Sequence, residues 1–160
     1  MADNSSDNEK IDFVIPWVDG SDPEWLKERN AVSSEGGCGS DSLKNGDSIE
    51  DNSGARYYSW DNLQYWFRGV EKFAPWVNKI HFVTWGHIPP WMNTDVPKLH
   101  IVNHKDYIPE QFLPTFNSNT IELNFHRIEG LSEKFVYFND DVFLLKPAAK
   151  EDFFRNGRPR

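Results

Sequence analysis

The sequence predicts an α/β domain built on a mainly parallel sheet. Three observations carry that prediction. Four short runs rich in β-branched and aromatic residues recur along the chain, near 11–18, 79–85, 99–103 and 134–138. Segments with three- and four-residue apolar spacing fall between them, giving the order strand, loop, helix, strand, strand, helix, strand. Three of the strands run into polar or glycine-bearing clusters, Trp17-Val18-Asp19-Gly20, Trp85-Gly86-His87 and Asn139-Asp140-Asp141. In a parallel sheet these clusters gather at one edge, beyond the carboxyl ends of the strands, where such folds bind ligands.

Each element has a local reason. Residues 1–10 read as a solvated, flexible tail, and Ile11–Val18 follows as a buried strand. It stops at Asp19-Gly20-Ser21-Asp22-Pro23, a dense set of turn formers. Ser21 or Asp22 caps a short helix that starts at Pro23 and carries Glu24–Arg29. Of the 23 residues at 33–55, eleven are Gly or Ser, and Leu43 and Ile49 are almost the only sizeable apolar ones. Such a stretch cannot offset its ordering entropy, so a flexible insertion is expected there.

Order resumes at Ser59, the expected N-cap of a helix over 59–74 whose buried stripe is Trp60, Leu63, Phe67, Val70 and Ala74. Pro75 ends it, and 79–85 is the second strand. Two prolines make His87–Trp91 a loop. After the strand at 99–103, Asn119 and Glu122 resemble a capping box for a helix over 119–129, closed by Gly130. Its inner face is Ile121, Phe125 and Ile128, while Glu122 and His126 read as a surface pair.

Composition narrows the function classes. The length, 160 residues, suits one domain. With 38% hydrophobic, 15% aromatic and 26% charged residues, a disordered chain, a collagen repeat and a coiled coil are all excluded. No apolar run reaches the roughly 18 residues of a membrane span. The polar start MADNSSDNEK resembles neither a secretory signal nor a transit peptide. A single cysteine, Cys38, leaves no internal disulfide or thiolate zinc site, and a reducing cytoplasm is the simplest setting. The net charge of −8 argues against nucleic acid as partner. That charge sits mainly in residues 1–55, which hold 13 acids and 4 bases, so the remainder can host an anionic ligand.

Asn139-Asp140-Asp141 is the strongest chemical signal. Two adjacent carboxylates between the apolar runs Phe135–Phe138 and Val142–Leu145 repel each other unless a cation or donor compensates. A hard divalent ion that takes one or two carboxylates plus substrate phosphates suits them, and an exposed hairpin turn is the bland alternative. Asp19-Gly20 alone reads as an ordinary turn. Trp17, Trp85 and Trp91 at strand ends or in loops can stack on a sugar or base, and Arg56 and Arg68 can fork onto phosphate. Walker, GxGxxG and GxSxG motifs are absent from the sequence.

Taken together, these segments resemble the Stealth family of sugar-phosphate transferases, which includes bacterial capsular polysaccharide phosphotransferases and the lysosomal GlcNAc-1-phosphotransferase α/β subunit. Ile11–Trp25 is similar to the family's first region. Arg56–Leu63, Ala74–Ile80, Ile88–Asn93, Phe116–Glu122 and Gly130–Asp141 are similar to its second. The resemblance covers nearly everything from residue 11 onward except 33–55. Members carry two further C-terminal regions, with a histidine and an arginine assigned to the active site, so 11–160 is expected to be the N-terminal part of the catalytic domain, inactive alone. The compact match favours a capsule enzyme over the animal protein.

The resemblance implies a truncated Rossmann-like or GT-A-like nucleotide-sugar core. The implied donor is UDP-GlcNAc or a UDP-hexose, the acceptor a glycan or oligosaccharide hydroxyl, and the products a phosphodiester and UMP. Asp19, Asp140 and Asp141 are the implied catalytic carboxylates, with Asp140 and Asp141 holding a divalent cation, Mg²⁺ or Mn²⁺. Substrate binding falls to Trp17, Gly20, Arg56, Arg68, Trp85, Gly86, Asn117, Ser118 and Asn139. The implied location is the cytoplasm, with room for peripheral attachment to the inner face of the membrane. A GT-A-like glycosyltransferase releasing UDP and a non-catalytic carbohydrate-binding domain are the competing readings.

Overall fold

The computed structural model describes residues 10–35 and 61–160, with side chains of the first segment described through Val32. A four-stranded, all-parallel sheet organises them, in the order β3-β2-β1-β4. Its strands are β1 (Ile11–Trp17), β2 (Ile80–Thr84), β3 (Leu99–Asn103) and β4 (Lys134–Tyr137). The α/β class and the four strands expected from the sequence are all present.

β1 lies at the centre and is buried from Ile11 to Ile15. Its alternation feeds two cores. Ile11, Phe13 and Ile15 point to one face, where they pack with Phe82, Phe138 and the helix α2 (Leu63–Phe73) through Leu63, Trp66 and Val70. Val14 points to the other face with Val83 and Val102, against Tyr107, Ile108, Phe125 and Ile128. Burial on both faces explains why the strands read as continuous apolar runs. Trp66, only 1% exposed, is the central aromatic of the first core, touching Phe13, Phe67 and Phe138 edge-on or nearly so.

Several boundaries differ from expectation. Asp22 is the N-cap of α1 (Pro23–Glu35), its Oδ1 accepting from Glu24 N and Trp25 N at 2.9 Å each. That helix runs to Glu35, so its end overlaps the stretch expected to be an insertion, whose remainder at 36–55 lies outside the described residues. The helix expected over 59–74 begins at Leu63, with Asn62 at the cap position and no side-chain cap bond. Ser59 and Trp60, the expected cap and first stripe residue, lie outside the described residues.

The helix expected over 119–129 is divided. α4 spans Ser118–Leu123, and its cap is Asn117 rather than Asn119, with Asn117 Oδ1 accepting from Asn119 N at 2.8 Å. A separate 3₁₀ turn, Phe125–Arg127, follows. Asn124 separates them, its Nδ2 donating to Thr120 O at 2.8 Å, as an asparagine that competes with helical bonding does. The short helix α3 (His104–Tyr107) joins β3 to this region. Beyond β4, Phe154–Arg155 and Arg158–Pro159 (β5 and β6) form a small antiparallel hairpin. Asn156 and Gly157, at φ of 53° and 76°, make the two-residue turn that such hairpins favour. Phe153 and Phe154 pack on the first core.

Candidate active site

The strand order creates a switch point. From β1 the chain builds β2 and β3 on one side, then returns to place β4 on the other. The crevice at the carboxyl ends of β1 and β4 is where doubly wound sheets bind ligands. Trp17 ends β1 and Tyr137 ends β4, so Asp19 and the Asn139–Asp141 cluster sit at the same edge, with Trp85 and Gly86 beside them at the end of β2.

A cavity of about 350 Å³ opens at this point. Of the residues singled out by sequence, Trp17, Ser118, Asn139 and Asp140 line it. Asp19 lines a neighbouring hollow of about 560 Å³ with Asp61, Pro89, Pro90 and Trp91, and Trp17 is shared by both. The remaining candidates among the described residues line neither space. Gly20 belongs to the turn after β1, and Asn117 spends its side chain on capping α4. Arg68 is exposed on α2, its guanidinium 5.6 Å from the Tyr65 ring. Trp85 donates from Nε1 to Glu28 Oε2 at 2.7 Å, a tie between β2's end and α1. Gly86 has a φ of 146°, a conformation a side chain rarely adopts. Asp141 is exposed, and Arg56 lies outside the described residues.

The carboxylates differ in environment. Asp19 Oδ1 accepts from Ser21 Oγ at 2.6 Å and Ser21 N at 2.9 Å. The Ser21 hydroxyl first, then its amide, hold Asp19 below the usual carboxylate range, against partial burial. Asp140 moves the other way: crowding by protein and the adjacent Asp141 charge raise it. Its side chain nonetheless stays open to solvent. Asp19 is thus the weaker proton acceptor of these two, and Asp140 the one a cation would relieve most.

Sequence reasoning missed part of the wall. His104, Thr115, Phe116, Ile121, Glu122, Trp25 and Tyr137 also line the cavity. Glu122 is not paired on the surface with His126; its Oε1 lies 3.0 Å from the Tyr137 hydroxyl, whose single proton is shared between Glu122 Oε1 and Asn139 Oδ1. The Tyr137 hydroxyl is raised by burial first and then by Glu122. His104 is 8% exposed and its imidazole is lowered to about 4, by burial and then by His87. The segments Ile11–Trp25, Phe116–Glu122 and Gly130–Asp141 contain Trp25, Phe116, Ile121, Glu122 and Tyr137, but nothing in the sequence signalled His104 or Thr115 as wall residues.

Among the described residues, no three His, Cys, Asp or Glu side chains converge as a ready-made metal cage. Two adjacent carboxylates are nonetheless the protein share of many Mg²⁺ sites, where substrate phosphates complete the shell. No described helix is long and apolar enough to cross a membrane.

Conserved region 2 of the Stealth proteins matches residues 56–160, and conserved region 1 matches residues 9–37. The chain belongs to the Stealth family. Stealth relatives span almost all of it. A capsular polysaccharide phosphotransferase of Streptococcus pneumoniae is 49% identical over 150 residues, covering 94% of this chain and 43% of the relative. One from Streptococcus thermophilus is 45% identical, covering 94% and 60%. A receptor polysaccharide phosphotransferase of Streptococcus oralis is 45% identical, covering 94% and 43%. The chain therefore spans only 43–60% of the length of these Stealth proteins.

Proposed function

We propose that this Stealth chain provides the donor-binding part of a sugar-phosphate transferase for capsular or cell-surface polysaccharide. The reaction moves a sugar 1-phosphate from a nucleotide-sugar, UDP-GlcNAc or a UDP-hexose, to a glycan hydroxyl. The acceptor oxygen bonds to the phosphorus that carries the sugar, the phosphoanhydride bond breaks, and UMP leaves with that bond's electrons. The hydroxyl proton passes to a carboxylate.

The observation that carries this reading is that Asp19 follows β1 and Asp140 and Asp141 follow β4 at one edge of the sheet, with Asp19 and Asp140 lining neighbouring hollows. The phosphotransferase names of relatives that match 94% of the chain support it. Asp140 and Asp141 are the residues that would hold Mg²⁺ or Mn²⁺. When bound, such an ion neutralises charge at the phosphoryl oxygens. An ion on Asp140 would cancel the raised proton affinity that Asp141 and burial give it, so Asp140 serves as a ligand and the proton goes to a carboxylate that does not hold the ion, Asp19 being the candidate at this edge. Nucleotide-sugars place the reaction in the cytoplasm, at or near the inner face of the membrane.

³¹P NMR of the full-length enzyme with donor and acceptor tests the proposal. A phosphodiester signal growing with UMP is the expected result. UDP as the released nucleotide means glycosyl transfer and overturns it.

A further inference from the structure

Asp12, His81 and His100 stand side by side on the face of the sheet away from α2. Val14, Val83 and Val102 point to that face, and each polar residue precedes one of them by two positions in its strand. His81 and His100 are direct partners in the β2–β3 register. Asp12 and His81 are fully buried, whereas His100 is half-buried. All three lie toward the amino ends of the strands, away from the proposed transfer reaction.

Their contacts form a continuous chain. His81 Nε2 lies 3.1 Å from Asp12 Oδ2, and His81 Nδ1 lies 3.0 Å from His100 Nδ1. The two imidazoles meet at 73° with their centroids 5.0 Å apart. Asp12, held at about 2, is ionised and only accepts, so Nε2 of His81 carries a proton. Two nitrogens at hydrogen-bond distance need one proton between them. In the neutral pair, His100 donates from Nδ1 to the Nδ1 lone pair of His81. One added proton leaves a bond in place. Either His100 takes it at Nε2, or His81 takes it at Nδ1 and donates to His100 in its Nε2–H form. A second added proton sets N–H against N–H, and the contact fails.

The surroundings suit one extra positive charge better than two. Asp12 from β1 bonds only the His81 ring. The other charged groups acting on the pair are Lys79 ahead of β2, Asp106 from α3 and Glu129 ahead of β4. Burial first lowers the proton affinity of His100, and positive charge on His81 or Lys79 lowers it further. Asp106 and Glu129 offset only part of this.

We propose that Asp12, His81 and His100 form a proton-counting latch, which fastens the edge strand β3 to β2 and β1 while the two rings hold at most one added proton and releases it at the second. Among the described residues β3 has β2 as its one strand partner, so its seat depends on that contact. It also leads straight into α3, whose His104 lines the 350 Å³ cavity. Mild acid thereby loosens the strand that carries one wall of the cavity. The inference holds whichever reaction the full-length enzyme performs.

Imidazole ¹H–¹⁵N NMR of the 160-residue chain between about pH 7.5 and 4.5, with amide exchange read in parallel, tests the latch. At neutral pH, His81 should carry Nε2–H, and one proton should bridge the facing Nδ1 atoms. As the rings take their second proton, protection factors over Leu99–Asn103 should fall about tenfold, the loss expected for one buried hydrogen bond. Those over Ile11–Ile15 should hold. His100→Phe keeps a ring without nitrogen, so the step should vanish in that variant. Wild-type exchange reports the latch even where His100→Phe fails to fold. Four results overturn the proposal: no second proton taken up in this range, β3 protection that stays flat after it, a step that survives in His100→Phe, or β1 and β3 losing protection together.

Discussion

The backbone N–H of Asp19 donates to Nε2 of His87 at 2.8 Å, tying the turn after β1 to the loop after β2. An accepting Nε2 carries no proton, so the neutral ring holds its proton on Nδ1, which lies 3.6 Å from Asp22 Oδ2. The rings of Trp17 and Trp85 flank the imidazole at 5.2 and 5.7 Å. Burial lowers its proton affinity, and the Asp22 and Asp19 charges only partly restore it. His87 is therefore a positioning residue: its lone pair sets where the Asp19 turn sits.

His87→Ala removes that acceptor and leaves the Asp19 amide without it. On the proposed role of Asp19, sugar-phosphate transfer by the full-length enzyme should fall by about tenfold or more, because small displacements of a group beside the reacting atoms are costly. The loss should appear in kcat more than in KM. Restoring an acceptor with His87→Gln should recover part of it, and it should flatten the acid limb of the pH–rate profile. Equal activity in wild type and His87→Ala would show that the bond does not matter to the reaction.

Three histidines, His87, His100 and His104, share a lowered proton affinity whose first cause is burial. Each binds protons less readily folded than unfolded. Their contribution to stability is complete above the unfolded value of 6.5 and is lost as pH falls toward the folded values. His104 alone, lowered to about 4, withdraws on the order of 3 kcal/mol at about 1.4 kcal/mol per pH unit. Urea midpoints should therefore drop steadily from pH 6.5 to 4. A flat profile across that window would contradict the buried neutral rings.

The parallel strands were legible because both faces of the sheet are covered, which leaves runs such as Ile11–Trp17 almost free of polar residues. The Asp19 and Asp140–Asp141 clusters were legible because turn residues and carboxylates follow those runs directly. The cap of α4 was not. Asn117 and Asn119 are both able to cap, and the backbone around them decides in favour of Asn117. The break at Asn124 turns on one side chain bonding to Thr120 O, which periodicity does not register. The β5–β6 hairpin carried a usable signal, Asn156-Gly157, but its strands have two residues each. The His104 side of the cavity is assembled by long-range packing, with β3, α3 and α4 brought to the end of β1, and no local pattern announces it.

At the opposite edge of the sheet, Asp12 is fully buried and accepts four bonds. Asn78 Nδ2 and Lys79 N donate to Oδ1 at 2.7 and 3.0 Å, and Ser132 N and His81 Nε2 to Oδ2 at 2.8 and 3.1 Å. Burial pushes this carboxyl up, but the bonds from His81, Asn78 and Ser132 outweigh it and hold it at about 2. Asp12→Ala unpairs donors from three separate segments. It should cost about 3–5 kcal/mol in chemical denaturation, the range for breaking a buried polar pair. A loss under about 1 kcal/mol would mean that water replaces the carboxylate.

The Asp140–Asp141 pair allows structural and functional roles to be separated by sign. Both side chains are exposed, yet Asp140 is raised by crowding and by the Asp141 charge, so the unliganded fold carries repulsion there. Asp140→Asn should raise the thermal midpoint of the metal-free chain, the gain in stability being no more than about 1 kcal/mol because solvent screens an exposed pair. Asp141→Asn removes the same repulsion at nearly constant volume and should also leave the fold intact. In the full-length enzyme either change should lower transfer at least about 10²-fold, the lower end for loss of acid–base help. A pair kept only as a surface turn would give the stability gain with unchanged turnover. A catalytic or metal-holding pair gives a more stable protein that has lost its reaction.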